Sequence, residues 1–245
     1  MIFSKIFRAV RHAEPQANPA SIRSVSRTHV GRVRTINEDR IFDRPERRLW
    51  AVADGMGGHY SGDVAAQMAI DRLDKVRVPD VDAVLTALQC ANAEIFARFG
   101  CEDRRSGTTI VAAHIAGGQV ELFWAGDSRA YRIRDGALQL LTRDHSVVQQ
   151  MVDAGALSPG AAVRHPQANV ITRALGVENK VAVDHVSLPV RSGDAILLCS
   201  DGVSRSLGTT SPAAEPIESL AQHFLDEALA LDGSDNASLV LIAIQ

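Results

Sequence analysis

Between Val81 and Phe99 the apolar residues fall at Val81, Val84, Leu85, Leu88, Ala91, Ile95, Phe96 and Phe99. That three-four spacing lays one stripe along a helix, and Asp80 stands where an N-cap belongs. Residues 61–73, with Val64, Met68, Ala69 and Leu73 among small residues, predict a closely packed helix. After Gly107 the period shortens. Residues 108–116, 119–124, 130–134 and 138–142 are β-type runs, separated by Gly117-Gly118, Gly126-Asp127 and Asp135-Gly136. Those pairs are hairpin-grade turns, so the four runs predict a hairpin-linked antiparallel sheet. Further strands are expected at 48–53, 181–188, 195–199 and 237–244, and alternation predicts one at 21–30 without marking its buried face. Helices are expected near 146–154 and over 215–231. Helices and hairpins are segregated, which predicts the α+β class: two antiparallel sheets face to face, with helices over their outer faces.

The 245 residues suit one large domain or two small ones. The reading is a tail and linker over 1–20 and one domain over 21–245. In the tail, Ile2, Phe3, Ile6, Phe7 and Val10 alternate with Lys5, Arg8 and Arg11, ahead of Pro15 and Pro19. A membrane-surface helix is one reading; a short helix on its own domain, or a frayed tail, is the preferred one. A net charge of −3 gives no electrostatic case for nucleic acid. Aromatic content of 4% leaves the core to Val, Ile, Leu and Ala. Cys90, Cys101 and Cys199 are odd in number and lack CxxC spacing. They point to a reducing, cytoplasmic setting and away from zinc. No apolar stretch approaches a membrane span, so no integral membrane contact is expected.

The chemistry lies in aspartates at separated turns: Asn37-Glu38-Asp39, Asp54-Gly55-Met56-Gly57-Gly58, Ser200-Asp201-Gly202 and Asp235-Asn236. Oxygen donors gathered at strand ends suit a hard cation such as Mg²⁺ or Mn²⁺. Crowded carboxylates repel one another unless a cation lies between them. Any one of these aspartates taken alone is more readily a turn former or helix cap.

Taken in order, the motifs resemble the metal-dependent Ser/Thr protein phosphatases of the PPM family, also called type 2C. Arg34-x-x-Asn37-Glu38-Asp39 is similar to the first motif, and Asp54-Gly55-Met56-Gly57-Gly58-His59 to the bacterial form of the second. Ser106-Gly107-Thr108-Thr109 fits the strand entry, and Gly126-Asp127-Ser128-Arg129 the central hairpin. Ser200-Asp201-Gly202 and Asp235-Asn236 complete the set. The resemblance implies a four-layer αββα sandwich and hydrolysis of phosphoserine and phosphothreonine in proteins by metal-activated water. Two Mn²⁺ or Mg²⁺ ions are implied: Asp54 bridges them, Gly55 gives a carbonyl, Asp201 and Asp235 complete one, and Glu38 reaches the other through water. Asp39 and Asn236 support these ligands from behind, and Arg34 clamps the phosphate. The implied partners are phosphoprotein substrates and a cognate Ser/Thr kinase, with the enzyme a monomer. The rivals are a non-hydrolysing phosphoprotein-binding module and a small-molecule phosphomonoesterase.

Two departures stand out. Many eukaryotic members carry His directly after Asp-Gly, where this chain has Met56. His59 is the candidate general acid; alternatively it tips the turn and water donates the proton. His145 is a further candidate, with a hydrogen-bonding role at the base of the 144–173 flap the preferred reading. Bacterial members often hold a third, weaker ion with the Asp of Gly-Asp-Ser-Arg, here Asp127, and an Asp at a position that falls on Arg205. The expectation is therefore a weak or absent third ion, with Arg205 paired to Asp127 or to substrate phosphate.

Overall fold

In β3 (Leu49–Ala53) every residue is buried, yet successive side chains enter different cores. Leu49, Ala51 and Ala53 meet helices, while Trp50 and Val52 meet a second sheet. That two-sided burial is what a strand's period of two produces in a central layer. The computed structural model describes residues 21–57, 61–100, 106–207 and 216–245. The expectations for 1–20 and for His59 lie outside them.

Two five-stranded antiparallel sheets form the middle of the molecule. One runs β1 (Ile22–His29), β12 (Ala237–Ile244), β11 (Ala195–Cys199), β8 (Arg129–Arg134) and β9 (Ala137–Leu140). The other runs β10 (Asp184–Pro189), β7 (Gln119–Ala125), β6 (Ile110–Ala116), β3 and β2 (Arg40–Arg44). Val240, Ile242, Ile196 and Leu198 face Trp50, Val52, Val111 and Leu122 between the sheets. On one outer face lie α1 (Gly62–Asp74) and α2 (Val81–Phe99). On the other lies α6 (Ile217–Leu231), with Phe224 and Leu220 against Leu239 and Leu241. The layers are αββα, as expected. The α2 stripe is the buried face, and Asp80 caps it by accepting from the Ala83 amide at 2.7 Å.

Several local expectations shift. β2 carries charged residues at both ends around Ile41 and Phe42, too little pattern to mark an edge strand. The run 108–116 breaks at Thr109. β5 (Ser106–Thr108) pairs with β4 (Gly55–Gly57) in a separate two-stranded sheet, and only β6 joins the large one. The strand expected at 181–188 starts at Asp184, because Val181 packs under the helices and its carbonyl accepts from Gln89. The run 138–142 is β9, ending at Leu140. The largest correction concerns Gly126-Asp127. It is no hairpin: it carries the chain from β7 in one sheet to β8 in the other. Gly126 makes that crossing at φ +122°, where a Cβ would come within 2.5 Å of the Thr109 Cβ.

Pairing registers bring the functional turns to one end of the sandwich. Ala53 opposes Arg40, Ile110 opposes Ala125, Cys199 opposes both Arg129 and Leu239, and Ala237 opposes His29. The turns holding residues 30–39, 54–55, 126–128, 200–202 and 235–236 all leave from these ends. Gly202 lets two of them touch: a Cβ there would lie 2.0 Å from the Asn236 carbonyl oxygen. Gly202→Ala is expected to lower stability by about 1–3 kcal/mol in urea unfolding, the usual cost of overpacking. Gly160→Ala, where a Cβ meets nothing within 4 Å, is the control and should be near neutral.

Candidate active site

Asp54 follows the buried strand β3, and its backbone is held on both sides. Its amide donates to Thr109 Oγ1 at 3.3 Å, and its carbonyl accepts from the Thr109 amide at 2.9 Å and from Thr108 Oγ1 at 3.0 Å. Thr109 Oγ1 also lies 2.7 Å from Ser128 Oγ, next to Asp127. One threonine thus ties the Asp54 turn to the Asp127 crossing.

The first motif is fastened to the last. Asn236 donates to the carbonyls of Val30 and Ile36 at 2.8 and 2.9 Å, and its Oδ1 accepts from the Glu38 amide at 2.8 Å. All three of these bonds cross about 200 residues of sequence. The Glu38 carboxylate accepts from the amide of Gly62 in the first turn of α1. Gly62 has no room for a side chain, since a Cβ would lie 2.6 Å from Glu38 Oε1. Asp39 is buried; its Oδ2 accepts from Ser200 Oγ at 2.9 Å, while its Oδ1 has no hydrogen-bond partner among the described residues.

Asp201 opens the short helix α5 (Asp201–Ser204), and Asp235 sits in the turn before β12. Arg34 lies along Asp235, Nε to Oδ1 at 3.0 Å and Nη2 to Oδ2 at 3.1 Å, with about half its side chain exposed. Arg205 bonds Asp201, with Asn169 at 3.3 Å and Asp232 at 3.7 Å. The expected pairing of Arg205 with Asp127 is therefore corrected. From the C-cap of α5, four residues beyond Asp201, the guanidinium meets Asp201 first.

The electrostatics record this crowding. Burial, then the charges of Asp39, Asp201, Asp127 and Asp235, push the Asp54 carboxyl well above its ordinary range. Burial raises Asp39 to about 7, with Asp201 and Asp235 adding to the effect. Asp127 also rises to about 7, through burial and the charges of Asp201 and Asp144. Asp201 is raised by burial even against Arg205, and Glu38 is raised by burial too.

A family profile for protein phosphatase 2C matches residues 28–233. The chain belongs to the protein phosphatase 2C family. It is 37% identical over 236 residues to the serine/threonine phosphatase stp of Listeria monocytogenes, covering 88% of this chain and 93% of that one. It is likewise 37% identical over 232 residues to PstP of Mycobacterium tuberculosis, covering 90% of this chain and 44% of that protein. Among solved structures, PppA of Pseudomonas aeruginosa, described as a key regulatory component of T6SS, superimposes with a TM-score of 0.84 at 33% identity. That match covers 93% of this chain and 100% of that one. The catalytic domain of PstP in complex with two manganese ions superimposes at 0.79 with 33% identity, covering 91% and 97%.

The donors of this 2C chain fit a hard dication. They are oxygens, burial disfavours the charge of Asp54, Asp201 and Glu38, and behind them Asp39 Oδ1 has no hydrogen-bond partner among the described residues. Among the described residues no three His, Cys, Asp or Glu side chains form a ready-made cage. Asp201 and Asp235 are each engaged by a guanidinium instead.

Thr109, Ser128 and Ser200 appeared in the sequence only as letters of 2C motifs; their bonds were not legible. Nor was the forked pair of Arg129 with Asp144, 2.9 and 2.6 Å, which ties the Asp127 crossing to residue 144. His145 has the preferred structural role. Its amide donates to the Gly126 carbonyl at 2.9 Å, and its Nδ1 accepts from the Gly126 amide at 3.1 Å. Nε2 faces Arg173 at 2.8 Å and Asp184 at 3.3 Å. Burial, helped by Arg173, lowers its pKa, which suits a neutral ring accepting at Nδ1.

The raised carboxyls set a pH dependence. A carboxyl that binds its proton more tightly when folded contributes stability below its unfolded pKa and loses it as pH rises through the folded value. For Asp39 and Asp127 that window runs from about 4 to about 7. Chelated protein should therefore lose thermal stability between pH 5 and 8. Asp39→Asn should raise the midpoint at pH 8 by more than about 3 °C, roughly the shift of 1 kcal/mol at this size, and by clearly less at pH 5, where the folded Asp39 still holds its proton. Equal effects at both pH values in scanning calorimetry would count against the buried-charge account.

Proposed function

We propose that this chain is a Ser/Thr protein phosphatase that hydrolyses phosphoserine and phosphothreonine monoesters and opposes a bacterial Ser/Thr kinase. The observation that carries the reading is Asp54, half-buried at the end of the sandwich and crowded by Asp39, Asp127, Asp201 and Asp235, in a chain of the 2C family. We take residues 21–245 as one catalytic domain, with 144–173 a flap beside the site that contributes to substrate choice.

In this reading Asp54, the Gly55 carbonyl, Asp201, Asp235 and Glu38 would hold two Mn²⁺ or Mg²⁺ ions, with Asp54 serving both, Asp201 and Asp235 one and Glu38 the other. When bound, such a pair would supply an acidified water and offset phosphoryl charge. The chain does the rest. Thr109 and Thr108 fix the Asp54 backbone, so its carboxylate need not be ordered at the moment of reaction. Asn236 keeps the Glu38 segment beside Asp235. Arg34, half exposed and already aligned in a fork on Asp235, stands where it can turn two parallel N–H groups to phosphate oxygens. Asp127 retains one of the two ligands of a third ion. His145 has both ring nitrogens committed to contacts within the fold, which speaks for His59 or a water as the general acid.

The test is turnover of a phosphothreonine peptide with Mn²⁺ and with chelator. Activity should require the metal, and Asp54→Asn should abolish it while circular dichroism shows the fold retained. A peptide rate no higher than that on phosphosugars would instead favour a metabolite phosphatase. Arg34→Lys should keep the charge but lose the fork, lowering kcat/KM on the peptide by about 10-fold or more. An unchanged value would remove Arg34 as the clamp.

A further inference from the structure

Arg205 is the C-cap of α5 and reaches back across its single turn. Its Nη2 bonds the Asp201 carboxylate and lies 3.3 Å from Asn169 Oδ1; its Nη1 lies 3.7 Å from Asp232 Oδ2. One side chain, 29% exposed, thus joins three parts of the molecule: a carboxylate at the site, the 144–173 segment and the turn after α6. The guanidinium and a dication would approach the same carboxylate. Two cations sharing one small acceptor repel, and the repulsion is larger where water is partly excluded. Arg205 also has somewhere else to go, because Asp232 is already within reach.

We propose that Arg205 is a tethered counter-cation that competes with the metal for Asp201, so that loading the ion moves the guanidinium toward Asp232 and frees Asn169. The inference rests on Asp201 being a metal ligand. Its consequence is a site whose affinity is held down by the chain itself, with metal occupancy transmitted to the flap through one hydrogen bond. No bond is made or broken apart from hydrogen bonds and ion pairs, so no proton or electron has to be supplied.

The experiment is titration of chelated protein with Mn²⁺, following free Mn²⁺ by electron paramagnetic resonance, in wild type, Asp201→Asn, Arg205→Gln and Arg205→Lys. Asp201→Asn should weaken binding and Arg205→Gln should tighten it about tenfold. Arg205→Lys, which keeps a charge but not a planar guanidinium that can reach Asp201 and Asn169 together, should fall between wild type and Arg205→Gln. In hydrogen exchange, Mn²⁺ should speed the amides around Asn169 in wild type and change nothing there in Arg205→Gln. Equal or weaker Mn²⁺ binding in Arg205→Gln, with Asp201→Asn still impaired, overturns the competition and leaves the metal site standing. Unaltered binding in Asp201→Asn removes the metal reading of Asp201 and the inference with it.

Discussion

The Asp54 carboxylate shares a half-buried space with Asp127, Asp201, Asp235 and the buried Asp39, and the little water that reaches it screens them only in part. Such a group of anions is stable only if protons, cations or guanidinium groups offset the charge. In this structure Arg34 and Arg205 each take one carboxylate, and burial favours the protonated form of the rest. The fold tolerates that cost because the two sheets supply a large dry core on either side of the site. A dication would replace the protons and compete with the guanidinium groups. Stability, metal loading and pH dependence are therefore expressions of one electrostatic constraint.

Holding repelling groups together requires rigid backbones, and most of the polar side chains around the site serve that purpose. Asn236 fastens residues 30–38 to the start of β12. Thr109 clamps Asp54. His145 and Arg129 lock the crossing at Asp127 to the start of the 144–173 segment. Gly55, Gly62 and Gly202 let backbones approach more closely than any side chain would permit. The anionic groups are thus spaced by neutral hydrogen bonds, whose strength does not depend on how the charge is offset.

Much of this arrangement was visible in the sequence. The α2 stripe, the apolar runs of β3, β11 and β12 and the acidic motifs all carry local signals. The edge strand β2 did not, because two apolar residues between charged ones make no period. Nor did the small β4–β5 ladder, which is built largely from the glycine and hydroxyl residues of the motifs and has no hydrophobic face. The Gly126-Asp127 turn misled for a different reason. Turn chemistry specifies a reversal of the chain, and a reversal serves equally to form a hairpin or to pass from one sheet to the next.

Periodicity and turn preference act between near neighbours, so the long helices, the apolar strands and the acidic residues could be read from the chain alone. Which charges meet follows from packing between distant segments. Arg34 reaches Asp235 across 201 residues, and the Asn236 bonds span a similar distance. Arg205 is only four residues from Asp201, yet its choice of partner also depends on where Asn169 and Asp232 are packed. Pairing of charges follows separation in space, and that separation is set only when the sheets close on their shared core.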